Sequence, residues 1–188
     1  MTITVGINGF GRIGRCTLAH ISESLRNDIN VVKINATGPI ETAAHLMRYD
    51  SVHGRFGHPV TVAGNTLDLG RGPIEVMSSY DLGALDWEGV DVVLECTGKF
   101  NDGAKAKTHL DRGARKVLIS APAKNVDRTV VYGVNDAMLQ SGEKMISNGS
   151  CTTNCLAPLA KVLHEAIGIE SGIMTTIHAY TGDQPTLD

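Results

Sequence analysis

The sequence has no block of Lys or Arg, no apolar run of membrane length and no C-x-x-C pair. Each absence excludes something. Sequence-independent nucleic-acid binding wants a basic face, whereas 17 basic and 20 acidic residues leave a net charge of −3, so no nucleic-acid partner is expected. Spanning a bilayer takes a run of ~20 apolar residues, so no membrane partner is expected either. A strand pattern starts at once at Ile3, without a charged leader and a long apolar segment behind it, which points to a cytoplasmic location. The four cysteines, Cys16, Cys96, Cys151 and Cys155, are scattered and do not form a disulfide framework. Cys151 and Cys155 stand four apart on one helix, a poor spacing for a disulfide, so Cys16, Cys96 and Cys155 are read as packing residues. No His/Cys/Asp spacing argues for a metal, and no internal repeat is present.

What remains is an ordinary globular composition, 42% hydrophobic and 20% charged. Strand-length apolar runs (3–8, 29–35, 90–95, 116–119, 129–132 and 144–146) alternate with helical periodicity at 12–26, 41–47, 104–111 and 152–166. Such alternation predicts a parallel sheet covered by helices on both faces. Residues 59–77 break the pattern with short runs and Gly turns, read as antiparallel strands on an excursion from the sheet.

Two motifs carry chemistry. Gly9, Gly11 and Gly14 form G-x-G-x-x-G between an apolar strand and an amphipathic helix. The first Gly permits the tight turn, the second admits a pyrophosphate to the backbone, and the third brings helix and strand close. Arg12 and Ile13, at the helix start, join them as cofactor residues. The second motif is Ser147-Asn148-Gly149-Ser150-Cys151-Thr152-Thr153-Asn154-Cys155, which sets Cys151 at the start of a helix. Unpaired N–H groups and the peptide dipoles make that place electropositive. A cysteine of pKa near ~8.5 is only about 3% thiolate at pH 7, and one lowered to ~6 is about 90%. Cys151 is therefore the candidate nucleophile. His178, in the polar stretch His178-Ala179-Tyr180-Thr181-Gly182-Asp183-Gln184, is the candidate base. Ser150, Thr152 and Thr181 are candidates for holding phosphate groups, and Asp183 for orienting a cation or the substrate.

These residues, with Tyr49-Asp50-Ser51-Val52-His53-Gly54, Glu95-Cys96-Thr97-Gly98 and Ile119-Ser120-Ala121-Pro122, resemble the D-glyceraldehyde-3-phosphate dehydrogenase family over the whole chain and in its order. The resemblance implies a doubly wound Rossmann-type α/β domain over 1–150. Residues 151–188 are then the beginning of a truncated α+β catalytic domain, opening with a strand at 169–178. It implies phosphorylating oxidation of glyceraldehyde 3-phosphate in glycolysis. Cys151 attacks the aldehyde carbon, the hemithioacetal gives hydride to a nicotinamide, and inorganic phosphate cleaves the thioester. It also implies a homotetramer at full length, and it places Thr97, Gly98, Phe100 and Ser120 beside the adenine and nicotinamide.

One departure concerns the cofactor. NAD recognition wants an acidic residue after the second strand. Here Asn35-Ala36-Thr37-Gly38 places Ala36 at the family's usual Asp position. Two readings follow: NADP or dual use with Thr37 and the Gly38 backbone near a 2′-phosphate, or NAD held through Asn35. A second departure is Pro185, where many relatives place a basic residue, leaving no cation beside the phosphate candidates. The alternatives in function are an erythrose-4-phosphate dehydrogenase, which shares the Cys motif, and a fragment without turnover that binds a dinucleotide or senses redox state through Cys151.

Overall fold

Alternating apolar residues make Ile3–Asn8 a strand (β1), and its two faces build two different cores. Val5 and Ile7 point into a cluster with Leu18, Ile34, Ala44, Met47 and Leu67. Gly6 points the other way, onto Trp87, whose ring would lie 2.6 Å from any Cβ at that position. Trp87 in turn fills a second cluster with Leu82, Leu85, Val90, Val93 and Ala114. The computed structural model describes residues 2–24 and 26–179.

Helix Arg12–Glu23 (α1) leads to Ile29–Asn35 (β2), which pairs parallel with β1. Ile40–Arg48 (α2) follows, and then a two-stranded antiparallel hairpin, Tyr49–Asp50 (β3) with Gly54–Arg55 (β4). Thr61–Ala63 (β5), Thr66–Asp68 (β6) and Pro73–Met77 (β7) form a meander. The antiparallel reading of this stretch holds, but not its separation from the sheet. β7 turns parallel to β2 and carries the meander into the main sheet, with Leu67 and Ile74 buried in the first core.

The chain then returns to the other side of β1. Val92–Glu95 (β8) pairs with β1, and Lys116–Ile119 (β9) pairs with β8. Between them lie two short helices, Gly103–Ala106 (α3) and Thr108–Asp111 (α4), where the sequence predicts one helix. Arg128–Thr129 (β10) and Met145–Ser147 (β11) complete the edge. β10 stops well before Tyr132. The Asn135 side chain accepts from the Val131 N–H at 2.8 Å and donates to the Thr129 carbonyl at 3.1 Å, which turns the chain out of the ladder.

The nine-stranded sheet runs β10-β11-β9-β8-β1-β2-β7-β6-β5 and is parallel except in the meander, a Rossmann-type α/β arrangement. The order reverses between β1 and β8. In an open sheet of this kind the ligand crevice lies beyond the carboxyl ends of the strands at that switch point.

Cys151–Ile167 (α5) follows β11. None of its residues is buried, and Leu159, Val162 and Ile167 present apolar side chains to solvent. Residues 169–179 form no strand, contrary to the sequence expectation, because a strand needs a ladder partner and no described strand pairs with them. Ile173 and Ile177 are accordingly fully exposed. No helix among the described residues is long and apolar enough to cross a membrane.

Candidate active site

The first half of the site is the turn between β1 and α1. Gly9 has φ +95°, and a Cβ there would fall 2.8 Å from the Thr97 backbone N. At Gly14 a Cβ would fall 2.2 Å from the Gly9 carbonyl oxygen, so only glycine lets the helix come this close. Gly11 is different, since nothing lies within 4 Å of its missing Cβ. The two outer glycines close the turn onto the protein and the middle one faces open space, the arrangement a pyrophosphate requires.

The other cofactor candidates fall into three groups. Ile13, Thr37 and Gly98 are exposed on loops or helix starts at the carboxyl end of the sheet, free to meet a ligand. Thr97 and Ser120 are half-buried, the Ser120 hydroxyl donating to the Glu95 carbonyl at 3.0 Å. Arg12 is exposed, and its guanidinium is ion-paired with Asp50, a partner the sequence reading did not assign. Asp50 also accepts from the Val52 and His53 N–H groups at 2.8 Å, and these two bonds, with the Arg12 pairing, hold its carboxyl well below the usual carboxylate range.

The last three cofactor candidates are held by the protein's own packing. Asn35 is buried, and its amide is engaged by Asn8 and by both backbone groups of Ser79, so its side chain lies behind the site rather than reaching a ribose. Phe100 packs against the Trp87 cluster. Ala36 is also buried and offers only a methyl group.

The second half of the site is the start of α5. Ser150 is the N-cap, its hydroxyl accepting from the Thr153 N–H at 3.0 Å. The Asn154 side chain donates to the carbonyls of Asn148 (2.7 Å) and Ser150 (2.9 Å), tying the preceding turn to the helix. Gly149, at φ +71°, makes the bend that delivers Cys151 to the first helical position.

Cys151 Sγ lies 3.2 Å from His178 Nε2. The other ring nitrogen, Nδ1, donates to the Ala179 carbonyl at 2.5 Å, which fixes the tautomer and leaves Nε2 facing the sulfur. The two groups shift each other in opposite directions. The hydrogen bond to His178 lowers the Cys151 thiol, helped by the Thr152 N–H and hydroxyl. The Ala179 carbonyl and then Cys151 itself raise the His178 imidazole. A lowered thiol beside a raised imidazole favours a thiolate–imidazolium pair, a nucleophile with its proton acceptor in place.

The remaining cysteines separate by environment. Burial pushes the Cys96 thiol up to about 11, in keeping with a packing role. Cys155, read from sequence as a core residue, is exposed, because the face of α5 that carries it is uncovered. Thr181 and Asp183 lie outside the described residues. Among the described residues no cluster of His, Cys, Asp or Glu has the makings of a metal site.

Comparison with known proteins gives the family. Residues 3–103 match the family model described as glyceraldehyde 3-phosphate dehydrogenase, NAD binding domain, and residues 150–188 match the C-terminal domain of the same family. The chain is 60% identical over 188 residues to a glyceraldehyde-3-phosphate dehydrogenase of Cereibacter sphaeroides, covering all of this chain and 56% of the relative. It is 60% identical to one of Xanthobacter flavus and 52% identical to one of Pseudomonas aeruginosa, again over the whole chain and 57% of each relative. The chain thus spans little more than half the length of the curated relatives it matches.

Proposed function

Because the chain belongs to the glyceraldehyde 3-phosphate dehydrogenase family, we propose that it is the part of such an enzyme that binds the dinucleotide and carries the nucleophile, oxidising glyceraldehyde 3-phosphate to an acyl phosphate. The observation that carries this reading is the 3.2 Å approach of Cys151 Sγ to His178 Nε2 at the start of α5.

The crevice suits a dinucleotide: Gly9 and Gly14 close the turn, and Gly11 leaves room over the start of α1. When bound, the nicotinamide accepts a hydride. The protein's own groups do the rest. The Cys151 thiolate attacks the aldehyde carbon while the His178 imidazolium gives its Nε2 proton to the carbonyl oxygen, forming a thiohemiacetal and leaving Nε2 neutral. His178 Nε2 removes the hydroxyl proton as the carbon is oxidised, leaving a thioester on Cys151. Inorganic phosphate then displaces the sulfur. Unpaired N–H groups at the start of α5 favour the anionic groups of substrate and phosphate, with Ser150 and Thr152 beside them; on sequence alone Thr181 is assigned the same phosphate role and Asp183 the orienting of a cation or the substrate. The dinucleotide-binding domain is assigned to 1–150 and the start of the catalytic domain to 151–188, a division supported by the change from β11 to α5. The whole enzyme works as a cytoplasmic homotetramer of glucose metabolism, and this chain alone turns over little.

The experiment compares cofactor reduction with glyceraldehyde 3-phosphate and with erythrose 4-phosphate, in a protein extended to the length of its relatives. Higher efficiency with glyceraldehyde 3-phosphate, dependent on inorganic phosphate, is expected. A preference for erythrose 4-phosphate contradicts the reading.

NADP or dual use is the better cofactor reading. With the Asn35 amide turned inward and Ala36 bearing a methyl group, no side chain at the end of β2 repels a 2′-phosphate, and Thr37 stands exposed beside it. Ala36→Asp is expected to raise the NAD-to-NADP affinity ratio about tenfold or more, by setting a carboxylate against the phosphate. Equilibrium titration of both cofactors checks it, and an unchanged ratio shows that the 2′ group is read elsewhere.

A further inference from the structure

The strands around the switch point all end on a buried polar residue. Asn8 closes β1, Asn35 closes β2 and Glu95 closes β8, and the parallel register sets Asn8 level with both of the others. Their exposures are 0, 4 and 1%. Buried polar groups are costly unless satisfied, and the way these are satisfied is specific.

The Ser79 N–H donates to Asn35 Oδ1 (2.9 Å) and the Ser79 carbonyl accepts from Asn35 Nδ2 (2.8 Å), so the backbone fixes which way this amide points. Asn35 Nδ2 also donates to Asn8 Oδ1 (2.7 Å), which leaves Asn8 Nδ2 to donate to Glu95 Oε2 (2.6 Å). From the opposite side the Trp87 indole, which can only donate, meets His109 Nδ1 at 2.9 Å. That nitrogen therefore carries no proton, and His109 is the neutral Nε2–H tautomer, with Nε2 2.9 Å from Glu95 Oε2. The Thr97 N–H donates to Glu95 Oε1 at 2.8 Å, and so does the Thr97 hydroxyl. The side-chain relay converges on one carboxylate, which takes four donors.

We propose that Glu95, with Asn8 and Asn35, is a positioning clamp for the dinucleotide crevice; the inference rests on the dinucleotide reading above. The three strand ends it joins release the Gly9 turn, the Ala36–Pro39 segment and the Thr97–Lys99 loop. The backbone ladder stops at these ends: Gly9 N–H still donates to the Asn35 carbonyl at 3.2 Å and Cys96 N–H to the Asn8 carbonyl at 2.7 Å, and beyond them only the side chains bridge the strands. The clamp sets the spacing between the pyrophosphate turn and the adenosine loop from behind, and touches no ligand itself. Trp87 and His109 fix its polarity.

The test is calorimetric titration of the chain with NAD, NADP and AMP, before and after Glu95→Gln. The new amide N–H₂ must face donors wherever it points: Thr97 N–H at one position, Asn8 and His109 at the other. All three ligands are expected to bind about tenfold more weakly, while the rate of Cys151 alkylation is unchanged. If Glu95→Gln does not fold, Trp87→Phe removes the indole N–H that fixes His109 and is expected to weaken the same ligands about threefold. A second reading uses the wild-type chain. Its single tryptophan gives one indole N–H signal, and that signal and the His109 ring signals are expected to move on saturation with NAD, although neither side chain has exposed surface. Unchanged affinity in a folded variant, signals that ignore NAD, or an Nδ1–H tautomer at His109 overturns the clamp. A wild-type chain that binds neither NAD nor NADP overturns the dinucleotide reading and the clamp with it; binding by wild type with equal binding by Glu95→Gln overturns the clamp alone.

Discussion

His178→Asn is expected to slow alkylation of Cys151 by iodoacetamide at pH 7 about tenfold or more. Two effects act in the same direction. The hydrogen bond from the imidazole is the largest influence lowering the Cys151 thiol, and its charge adds a smaller one in the same direction. Removing both returns the thiol towards ordinary cysteine, whose thiolate fraction at pH 7 is only about 3%. The Asn amide ends near the place of Nδ1, so it offers the sulfur neither the Nε2 hydrogen bond nor a charge, and it cannot take a proton. The helix start remains in the variant, with the Ser150 cap intact, and some acceleration over a free thiol is expected to survive. A variant that alkylates as fast as wild type would place the whole effect in the helix and remove His178 from the mechanism.

Gly14→Ala is expected to abolish dinucleotide binding and to cost several kcal/mol of stability, or to prevent folding. The added Cβ would stand 2.2 Å from the Gly9 carbonyl oxygen, and the blocking atom is backbone rather than a side chain that can swing away. Gly9 cannot retreat, since Thr97 N and Cys96 C crowd its other side at 2.8 and 2.9 Å from its own missing Cβ. α1 must therefore lift from β1, pulling Leu18 out of the core in which it is 1% exposed. Gly11→Ala is the control, because its Cβ meets nothing within 4 Å and should leave folding intact. Urea unfolding of both variants beside NAD titration checks the pair. Equal stabilities would show that the turn relaxes in a way the close contacts do not allow.

The parts of this protein that were legible in its sequence are those whose meaning is local. Three glycines at fixed spacing between a strand and a helix specify a turn wherever they occur, and Ser150-Cys151 at a helix start specifies a cap and a thiol together. The parallel sheet followed from alternating periodicities. What the sequence hid depends on register between distant segments. Nothing near Asn8, Asn35 or Glu95 announces that three strand ends lie side by side, since the partners are 27 and 87 residues from Asn8. The meander was readable as antiparallel, but its entry into the sheet depends on the 33–35 segment of β2 having a free edge for β7. Arg12 and Asp50 meet only because the β3–β4 hairpin folds back beside α1. The exposed state of Cys155 and the unpaired 169–179 segment share one cause: an amphipathic pattern predicts burial only where another element supplies the covering face.

The measurement that tests the central claim most directly is the pH dependence of Cys151 alkylation. The Cys151 thiol is lowered and the His178 imidazole raised. The thiolate–imidazolium pair therefore forms as pH rises through the lowered thiol value, and it loses its imidazolium as pH rises further through the raised imidazole value. The rate should climb below the ordinary cysteine value and show a second step at higher pH, where the imidazolium proton leaves, and His178→Asn should merge the two into one rise closer to the ordinary ~8.5. A wild-type profile with a single rise near that ordinary value, unaltered by His178→Asn, would contradict the account.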